Sequence, residues 1–556
     1  MVEKGNEFWR RYPTRYVLPN GSQKIWGNCS LSEQHDKYIN ECFFELVGSC
    51  NRYPRYANKR GVDPQVKMYI DEEKLLLEPG WDLPVPNQEA AYKSLGKYGK
   101  STPLMSQLTV DQLNLAWLWM TRQFYPYMKD ARIVSLVEAV GRLDMSTSSG
   151  CPFNQEFVTK KEVFEGDPDI LPWLQEDWDR LAYDEKWTTI FSNSLKEELR
   201  TDEKILDNSI RTFLAGALDT TVHGTRLFVD MNEKLYASYL KSASTVGMSP
   251  LKGNWEQLYQ KLKIFPNGYA LDESQYDSSL RAFLMWGCAR FRYECLREED
   301  RTIENLARIK TYYRNLVNTM VLTPEGILLL KKLGNPSGSV DTVSDNTLIL
   351  YWLLAYAWIA TAPSEYQNYQ SFEEHTAKAL LGDDNTWTVS DAAHCFYNGA
   401  SVIDVWKLVG ITTTTDSLKP RPADELDFLS AHTVFLNGIA VPLYDRNKLL
   451  KSIFYAPQKR ITPAVTLQRV TNLLQIGWTD IPFRKFCRDL TNWLLDKYDR
   501  VLRDDQTWIQ AKCGIKTDAE YFALFTGHKI SYSQCLSGSV EKLKMPDKTR
   551  DEFSFG

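Results

Sequence analysis

The chain has 556 residues, 43% of them hydrophobic and 25% charged. Those proportions exclude a disordered, a collagenous and a disulfide-stapled chain, and leave a globular protein long enough for more than one core. A net charge of −5, from 66 basic and 71 acidic residues, excludes a uniformly basic nucleic-acid binder but not a basic groove, because totals do not locate charges.

No Pro/Gly/Ser-rich linker, low-complexity run or internal repeat divides the sequence, so interlocked subdomains are expected. The N-terminal MVEKGNEFWRRYP lacks the apolar core of a secretory signal. Ten cysteines occur singly, without a CxxC pair, which predicts free buried thiols in a reducing compartment such as the cytosol. There the formal glycosylation acceptor Asn28-Cys29-Ser30 carries no information. His35, Cys42 and Cys50 fit no common zinc spacing, so no structural zinc is expected.

In chain order, SQLTVDQLNLAWLWMTRQF (106–124) shows the apolar spacing of a helix. In SNSLKEELRTDEKILDNSIRTFL (192–214), Lys196, Arg200, Lys204 and Arg211 fall within sixteen residues, interleaved with acids. A solvated amphipathic helix with i,i+4 ion pairs accounts for that pattern as readily as a cationic clamp does. Gly268 to Leu271 reads as a short buried strand, and Ser278 to Arg292 as a helix. Asp272, at the strand's end, then faces a cleft.

The stretch KKLGNPSGSVDTVSDNTLIL (331–350) opens as a Gly/Pro/Ser loop and closes as an apolar helix, for which Ser339 or Asp341 is a candidate cap. Leu348 to Ala360 is too short to span a bilayer and carries Tyr and Trp, so it reads as a buried helix. Ala377 to Leu381 and Thr386 to Val389 are strand-like and place Gly382-Asp383-Asp384 at a hairpin tip. FRKFCRDLTNWLLDKYDRVL (483–502) is a second amphipathic helix.

Gly-Asp-Asp alone is a common turn. Together with Asp272 it offers facing carboxylates, the usual device for holding two divalent ions at in-line nucleotidyl transfer, where the attacking and the leaving oxygen both need their charge neutralised. Asp272 and Asp383 are the expected bridging ligands, with Asp384 an outer carboxylate and the backbone carbonyl of Glu273 a further donor. Two Mg2+ ions fit such a set, and Mn2+ should substitute. Carboxylates this close repel one another, so the hairpin without cations should be the less ordered state.

Seven motifs in order, over roughly residues 146 to 436, resemble those of viral RNA-dependent RNA polymerases of the positive-strand, picornavirus-like supergroup. TSSGCPF (147–153) resembles a template-entry motif, with Cys151 in place of an aromatic residue. KEELRTDEK followed by Arg211 resembles a fingers motif in all four basic positions. ALDESQYD supplies the Asp-x4-Asp of the first palm motif, Asp272 and Asp277. Ser337-Gly338, Thr342 and Asn346 fall at the positions of the third, and LLGDD resembles YGDD with Leu381 in place of tyrosine. GITTTTDSLK (410–419) resembles the segment of the mobile lysine, Lys419 sitting one residue late, and DFLSAHTVF (427–435) resembles the primer-grip hairpin. Around VLTPEG and GNPSGSVDTVSDN the layout is similar to astroviruses.

The resemblance implies roles. Arg200, Lys204 and Arg211 would clamp the incoming triphosphate. Lys196, Ser148 and Gly150 would face template RNA. Asp277, Thr342 and Asn346, beside the Ser337-Gly338 turn, would form a hydrogen-bond set that rewards a 2′-hydroxyl. Lys419 would protonate the pyrophosphate leaving group. The implied fold is α+β, a closed right hand: fingers 1–227 and 284–333, palm 228–283 and 334–437 as a small antiparallel sheet backed by helices, thumb 438–556, with fingers and thumb mostly helical. Implied partners are template and product RNA, NTPs, other viral replication proteins and a protein primer, without a transmembrane segment in the chain itself; the implied place is the host-cell cytoplasm at membrane-associated replication complexes. Two rivals are a reverse transcriptase, which usually needs a bulky steric gate after its first aspartate, and a non-catalytic RNA-binding scaffold, for which a degraded acidic triad would be expected.

Overall fold

The computed structural model describes residues 32–49, 56, 59–100, 104–183, 187–273, 275–413, 418–457, 461–528 and 543–544. The N-terminal segment, the Asn28-Cys29-Ser30 acceptor, Cys50 and residues 414–417 of the expected mobile-lysine segment lie outside them.

The most apolar stretch makes the central element. Thr342–Thr361 is one helix, hydrophobic all round, so it has to be enclosed on every side. Every side chain from Ser344 to Ile359 is buried, with the helices Val110–Met128, Ala282–Cys295 and Gly399–Leu408 packed around it. Asp341 stands at its N-cap but makes no capping hydrogen bond. Its carboxylate turns instead to a fully buried cluster, accepting from Asn232 Nδ2 at 3.0 Å and lying 3.6 Å from the Arg292 guanidinium, which donates through Nε to Asp345 at 2.8 Å. Among the described residues, no helix is long and apolar enough to cross a membrane.

The strands in order are β1 (Phe44–Ser49), β2 (Arg60–Val62), β3 (Trp81–Asp82), β4 (Ile190–Leu195), β5 (Arg200–Thr201), β6 (Thr212–Gly216) and β7 (Asn267–Leu271). Then follow β8 (Thr319–Leu322), β9 (Ile327–Lys331), β10 (Thr376–Leu381), β11 (Asp384–Val389), β12 (Ala431–Leu436), β13 (Ile439–Tyr444), β14 (Tyr455–Pro457) and β15 (Leu543–Lys544). The expected small antiparallel sheet is β10-β11-β7.

A second, five-stranded sheet, β1-β9-β8-β4-β6, is mixed, with β4 and β8 parallel. It stands beside the helices, which predominate outside the small sheet as expected. Apolar runs on either side of Thr323-Pro-Glu-Gly326 make the β8–β9 hairpin, whose turn uses Gly326 at φ +91°. Residues 192–214 are not a solvated helix. They run from β4 through β5 and the short helix Asp202–Leu206 into β6, and Lys196 N–H donates to Arg211 O at 2.8 Å across the base of the excursion.

The helix expected from Ser278 to Arg292 is broken. Tyr276–Ser279 ends as Leu280 and Arg281 become extended, and a new helix starts at Ala282. The carbonyls released by the break are taken up elsewhere, Asp277 O by Asn335 N–H and Leu280 O by Gly334 N–H.

Two expected boundaries cut through continuous elements. The helix Leu218–Ala237 runs through 227/228. The hairpin β12–β13 turns at Asn437-Gly438, both at positive φ (51° and 83°), as a two-residue hairpin turn demands. Its Val434, Leu436, Val441 and Leu443 share a core with the helices Pro463–Gly477 and Ile481–Tyr498 and with Val66 and Tyr69. Residues 60–82 thus tie distant parts together: β2 pairs with β14, β3 pairs with β5, and buried Asp63 caps the Pro64–Glu72 helix while accepting from Thr466 Oγ1 at 2.9 Å and Arg469 at 2.7 Å.

Of the described cysteines, Cys151, Cys288, Cys295 and Cys487 are buried, whereas Cys42, Cys395 and Cys513 are exposed, against the expectation of buried ones.

Candidate active site

The small sheet positions the acids. β7 and β11 run antiparallel with Leu271 opposite Asn385, so the next residue along, Asp272, comes level with Asp384. β10 and β11 pair Leu381 with Asp384, leaving a two-residue turn in which Gly382 has φ +66°. Asp272 and Asp383 are exposed and Asp384 is half-buried. All three line one cavity of about 720 Å³, together with Arg200, Lys204, Arg211, Arg421 and Lys448.

Burial pushes the Asp384 carboxyl up to about 7; the hydrogen bond from Leu429 N–H at 2.6 Å resists that shift, and the charges of Asp383 and Asp272 reinforce it. That bond also ties Asp384 to the 427–431 turn, as does Thr386 Oγ1 donating to Asp427 O at 3.1 Å. The Glu273 side chain is buried and raised well above the usual carboxylate range, first by burial. It accepts from Asn385 Nδ2 at 2.8 Å, and the Glu273 backbone forms an antiparallel bridge with Thr413. Among the described residues, no three His, Cys, Asp or Glu are gathered tightly enough to enclose an ion by themselves. Three carboxylates on one cavity wall, open to water and to substrate oxygens, are the donor chemistry that Mg2+ accepts.

The cations face the acids across the cavity. Arg200 and Arg211 each lie 3.5 Å from Glu198, Arg200 also donating to Ser209 O at 3.2 Å. The Arg211 side chain is 52% exposed and that of Arg200 14%. Lys204 is exposed and lines the same cavity. Lys196 does not line it, yet feels the charges of Asp277 and Asp383; burial above all lowers its pKa.

Asn346 Nδ2 donates to Asp277 Oδ1, so two of the three expected sugar-reading residues are joined. Burial, and then the Asp383 charge, push Asp277 up to about 6, against that hydrogen bond. Thr342 is not joined to the pair. Its hydroxyl donates to Pro336 O and Ser339 O, holding the loop before its own helix. Ser337 and Gly338 lie along β6: Ser337 Oγ accepts from Leu214 N–H, and a Cβ on Gly338 would stand 2.1 Å from Leu214 O.

Besides Lys196, the expected residues Glu273, Asp277, Ser337, Gly338, Thr342, Asn346, Ser148, Gly150 and Lys419 stand outside the cavity lining. Ser148 is exposed, and Gly150, at φ +72°, packs so closely on Gly216 and Ala217 that a Cβ would meet Gly216 O at 2.6 Å. Lys419 is exposed, while Arg421, two residues on, lines the cavity. Sequence reasoning missed Arg421, and also Arg60, Trp81 and Lys448. These come from segments without local motifs, brought in by the β2–β14 and β3–β5 pairings and by the helix Arg446–Phe454.

The genome polyprotein of watermelon mosaic virus II (isolate USA) is 29% identical over 369 residues, 65% of this chain and 34% of that polyprotein. That of peanut mottle virus (strain M) is 35% identical over 393 residues, 62% of this chain and 12% of that polyprotein. The chain therefore spans about a third or less of these curated relatives. Among solved structures, a sicinivirus 3Dpol RNA dependent RNA polymerase superposes with a TM-score of 0.65 at 15% identity, covering 81% of this chain and 93% of that one, which shows a shared right-hand polymerase fold. Residues 65–494 match the family described as viral RNA-dependent RNA polymerase, and the chain belongs to that family.

Proposed function

We propose that this chain copies an RNA template into RNA from nucleoside triphosphates by two-metal-ion nucleotidyl transfer, and so replicates and transcribes a viral RNA genome. The observation that carries the reading is the single cavity in which Asp272, Asp383 and Asp384 face Arg200, Lys204 and Arg211. Asp272 and Asp383 would hold two Mg2+ or Mn2+ ions, with Asp384 and the Glu273 backbone in support; when bound, the metals supply charge neutralisation at the attacking and leaving oxygens.

The chain's own residues do the rest. Arg200 and Arg211 present forks to phosphate oxygens, and Lys204 a point charge. Asp277 and Asn346 offer an acceptor and an oriented amide to the ribose 2′-hydroxyl, which favours an RNA product over a reverse transcriptase's DNA. The intact acids and the cations opposite them favour an enzyme over a scaffold. Arg421 and Lys448 add positive charge where the triphosphate or the RNA backbone enters. The palm is the β10-β11-β7 sheet with the Thr342–Thr361 helix, and the thumb begins with the hairpin at Ala431 rather than at 438. The partners are template and product RNA, NTPs and other viral replication proteins, at membrane-associated sites in the host cytoplasm, with synthesis started either from a protein primer or de novo.

The test is primer extension on a hairpin RNA by Asp383→Asn. Its side chain lies at an exposed turn, so the variant should fold and bind RNA nearly as the parent does while losing extension by several orders of magnitude. Near-parental turnover would sink the assignment.

A further inference from the structure

Beneath the proposed ribose pair lies a closed ring of three hydrogen bonds. Asn335, fully buried, gives its backbone N–H to Asp277 O at 2.7 Å and its side-chain Nδ2 to Asn346 Oδ1 at 3.0 Å. Asn346 closes the ring by giving its own Nδ2 to Asp277 Oδ1. Chemistry fixes the direction. An ionised carboxylate only accepts, so Asn346 turns its amide nitrogen to Asp277 and its oxygen away, and the residue facing that oxygen has to donate. Two orientations of the Asn346 amide fill the same space, and the Asn335 donor stabilises the one that serves Asp277.

The backbone around Asn335 is anchored at several points, while the Asn335 side-chain Oδ1 is buried without a hydrogen-bond partner. Gly334, at φ +81°, lies so close to the helix Tyr276–Ser279 that a Cβ would meet Asp277 O and Ser278 Cα at 2.7 Å. Gly334 N–H donates to Leu280 O at 3.0 Å, and buried Lys331 donates to Leu333 O and Gly334 O at 2.8 and 2.7 Å. The Tyr98 hydroxyl donates to Asn335 O at 3.3 Å. A loop anchored at this many points gives the Asn335 amide a fixed place from which to orient another side chain.

The geometry points to Asn335 as a positioning residue for sugar selection: by holding Asn346 Oδ1 it decides which atom of Asn346 faces Asp277, and through that pair the preference for a 2′-hydroxyl over a 2′-hydrogen. The inference rests on Asp277 and Asn346 being the ribose-reading pair, and its test separates the two ideas.

The measurement is kcat/KM for one rNTP and the matching dNTP, with melting temperatures, in Asn335→Ala, Asn335→Asp, Asn346→Ala and the double variant Asn335→Ala/Asn346→Ala. Asn335→Ala lowers the rNTP-to-dNTP ratio by about tenfold, the equivalent of one oriented hydrogen bond. Asn335→Asp keeps the volume but puts an acceptor where a donor is needed, and lowers the ratio too. The double variant discriminates no worse than Asn346→Ala alone, because both act through one amide. A purely structural role lowers melting and cuts both substrates equally. A ratio unchanged in the Asn335 variants but lowered in Asn346→Ala overturns the inference, as do additive effects in the double variant. An unchanged ratio in Asn346→Ala overturns instead the ribose reading beneath it. Should Asn335→Ala fail to fold, the ratio measured in the isosteric Asn335→Asp decides between the same outcomes.

Discussion

Arg211→Ala separates a triphosphate clamp from a surface ion pair, because the two roles move different observables. In the structure Arg211 is 52% exposed and reaches Glu198, itself 33% exposed, at 3.5 Å. An exposed pair of that kind contributes about 0–1 kcal/mol, so its loss should barely change the melting temperature. If the guanidinium also gives charged hydrogen bonds to a bound triphosphate, each net contact contributes about 1.5–3 kcal/mol, or roughly a 10- to 100-fold loss of kcat/KM. Arg200 differs in a way the structure dictates. At 14% exposure, with a hydrogen bond to Ser209 O at 3.2 Å, Arg200→Ala should lose both stability and activity. Glu198→Gln is the control: it breaks the pairing with both arginines and should leave the KM for NTP unchanged or lower. The assay is steady-state NTP titration on a hairpin RNA, beside thermal melting. If Arg211→Ala keeps kcat/KM within about twofold while melting falls as far as in Glu198→Gln, the clamp is refuted and the arginine is a surface partner of Glu198.

Three further outcomes follow from buried features. Burial lowers the pKa of Lys331 from 10.5 to about 7, so between those values the unfolded chain holds a proton that the folded chain has lost, and stability rises with pH across that window; Lys331→Met should flatten the rise, and an equal melting difference from the parent at pH 7 and pH 10 would contradict it. Gly338→Ala drives a Cβ against Leu214 backbone oxygen at 2.1 Å, so the loop must shift, costing about 1–3 kcal/mol and raising the KM for NTP; unchanged melting and KM would show that the loop is not held there. Asp63→Ala removes a helix cap and the carboxylate paired with Arg469, whose guanidinium keeps its bonds to the Ser452, Ile453 and Tyr455 carbonyls, a loss of about 1.5–3 kcal/mol in urea unfolding; a loss below about 1 kcal/mol would mean that this residue does not tie the Pro64–Glu72 helix to the C-terminal helices.

What the sequence by itself determined is local. Gly382 between two β-forming runs specifies a hairpin whose tip carries Asp383, since few residues tolerate the φ of +66° found there. The unbroken apolar run from Leu348 to Ala360 specifies an enclosed helix, since no face of it can meet water. The basic residues of 196–211 were legible as chemistry, but not as strand, short helix and strand, because charge spacing alone does not choose between a helix and an excursion pinned by β3 and β6. Only the tertiary structure decided the rest. Leu280 and Arg281 break an expected helix because the loop at 334–335 takes the freed carbonyls. Arg60 reaches the cavity because β2 and β14, nearly four hundred residues apart, pair there, Trp81 because β3 pairs with β5, and Lys448 because its helix leads into β14. Asn335, one letter inside a Gly/Pro/Ser loop, becomes the donor that orients Asn346 only once Asp277 is folded against it. Short-range preferences place a side chain on an element; which side chains share a cavity is set by long-range pairing and burial, which no local spacing records.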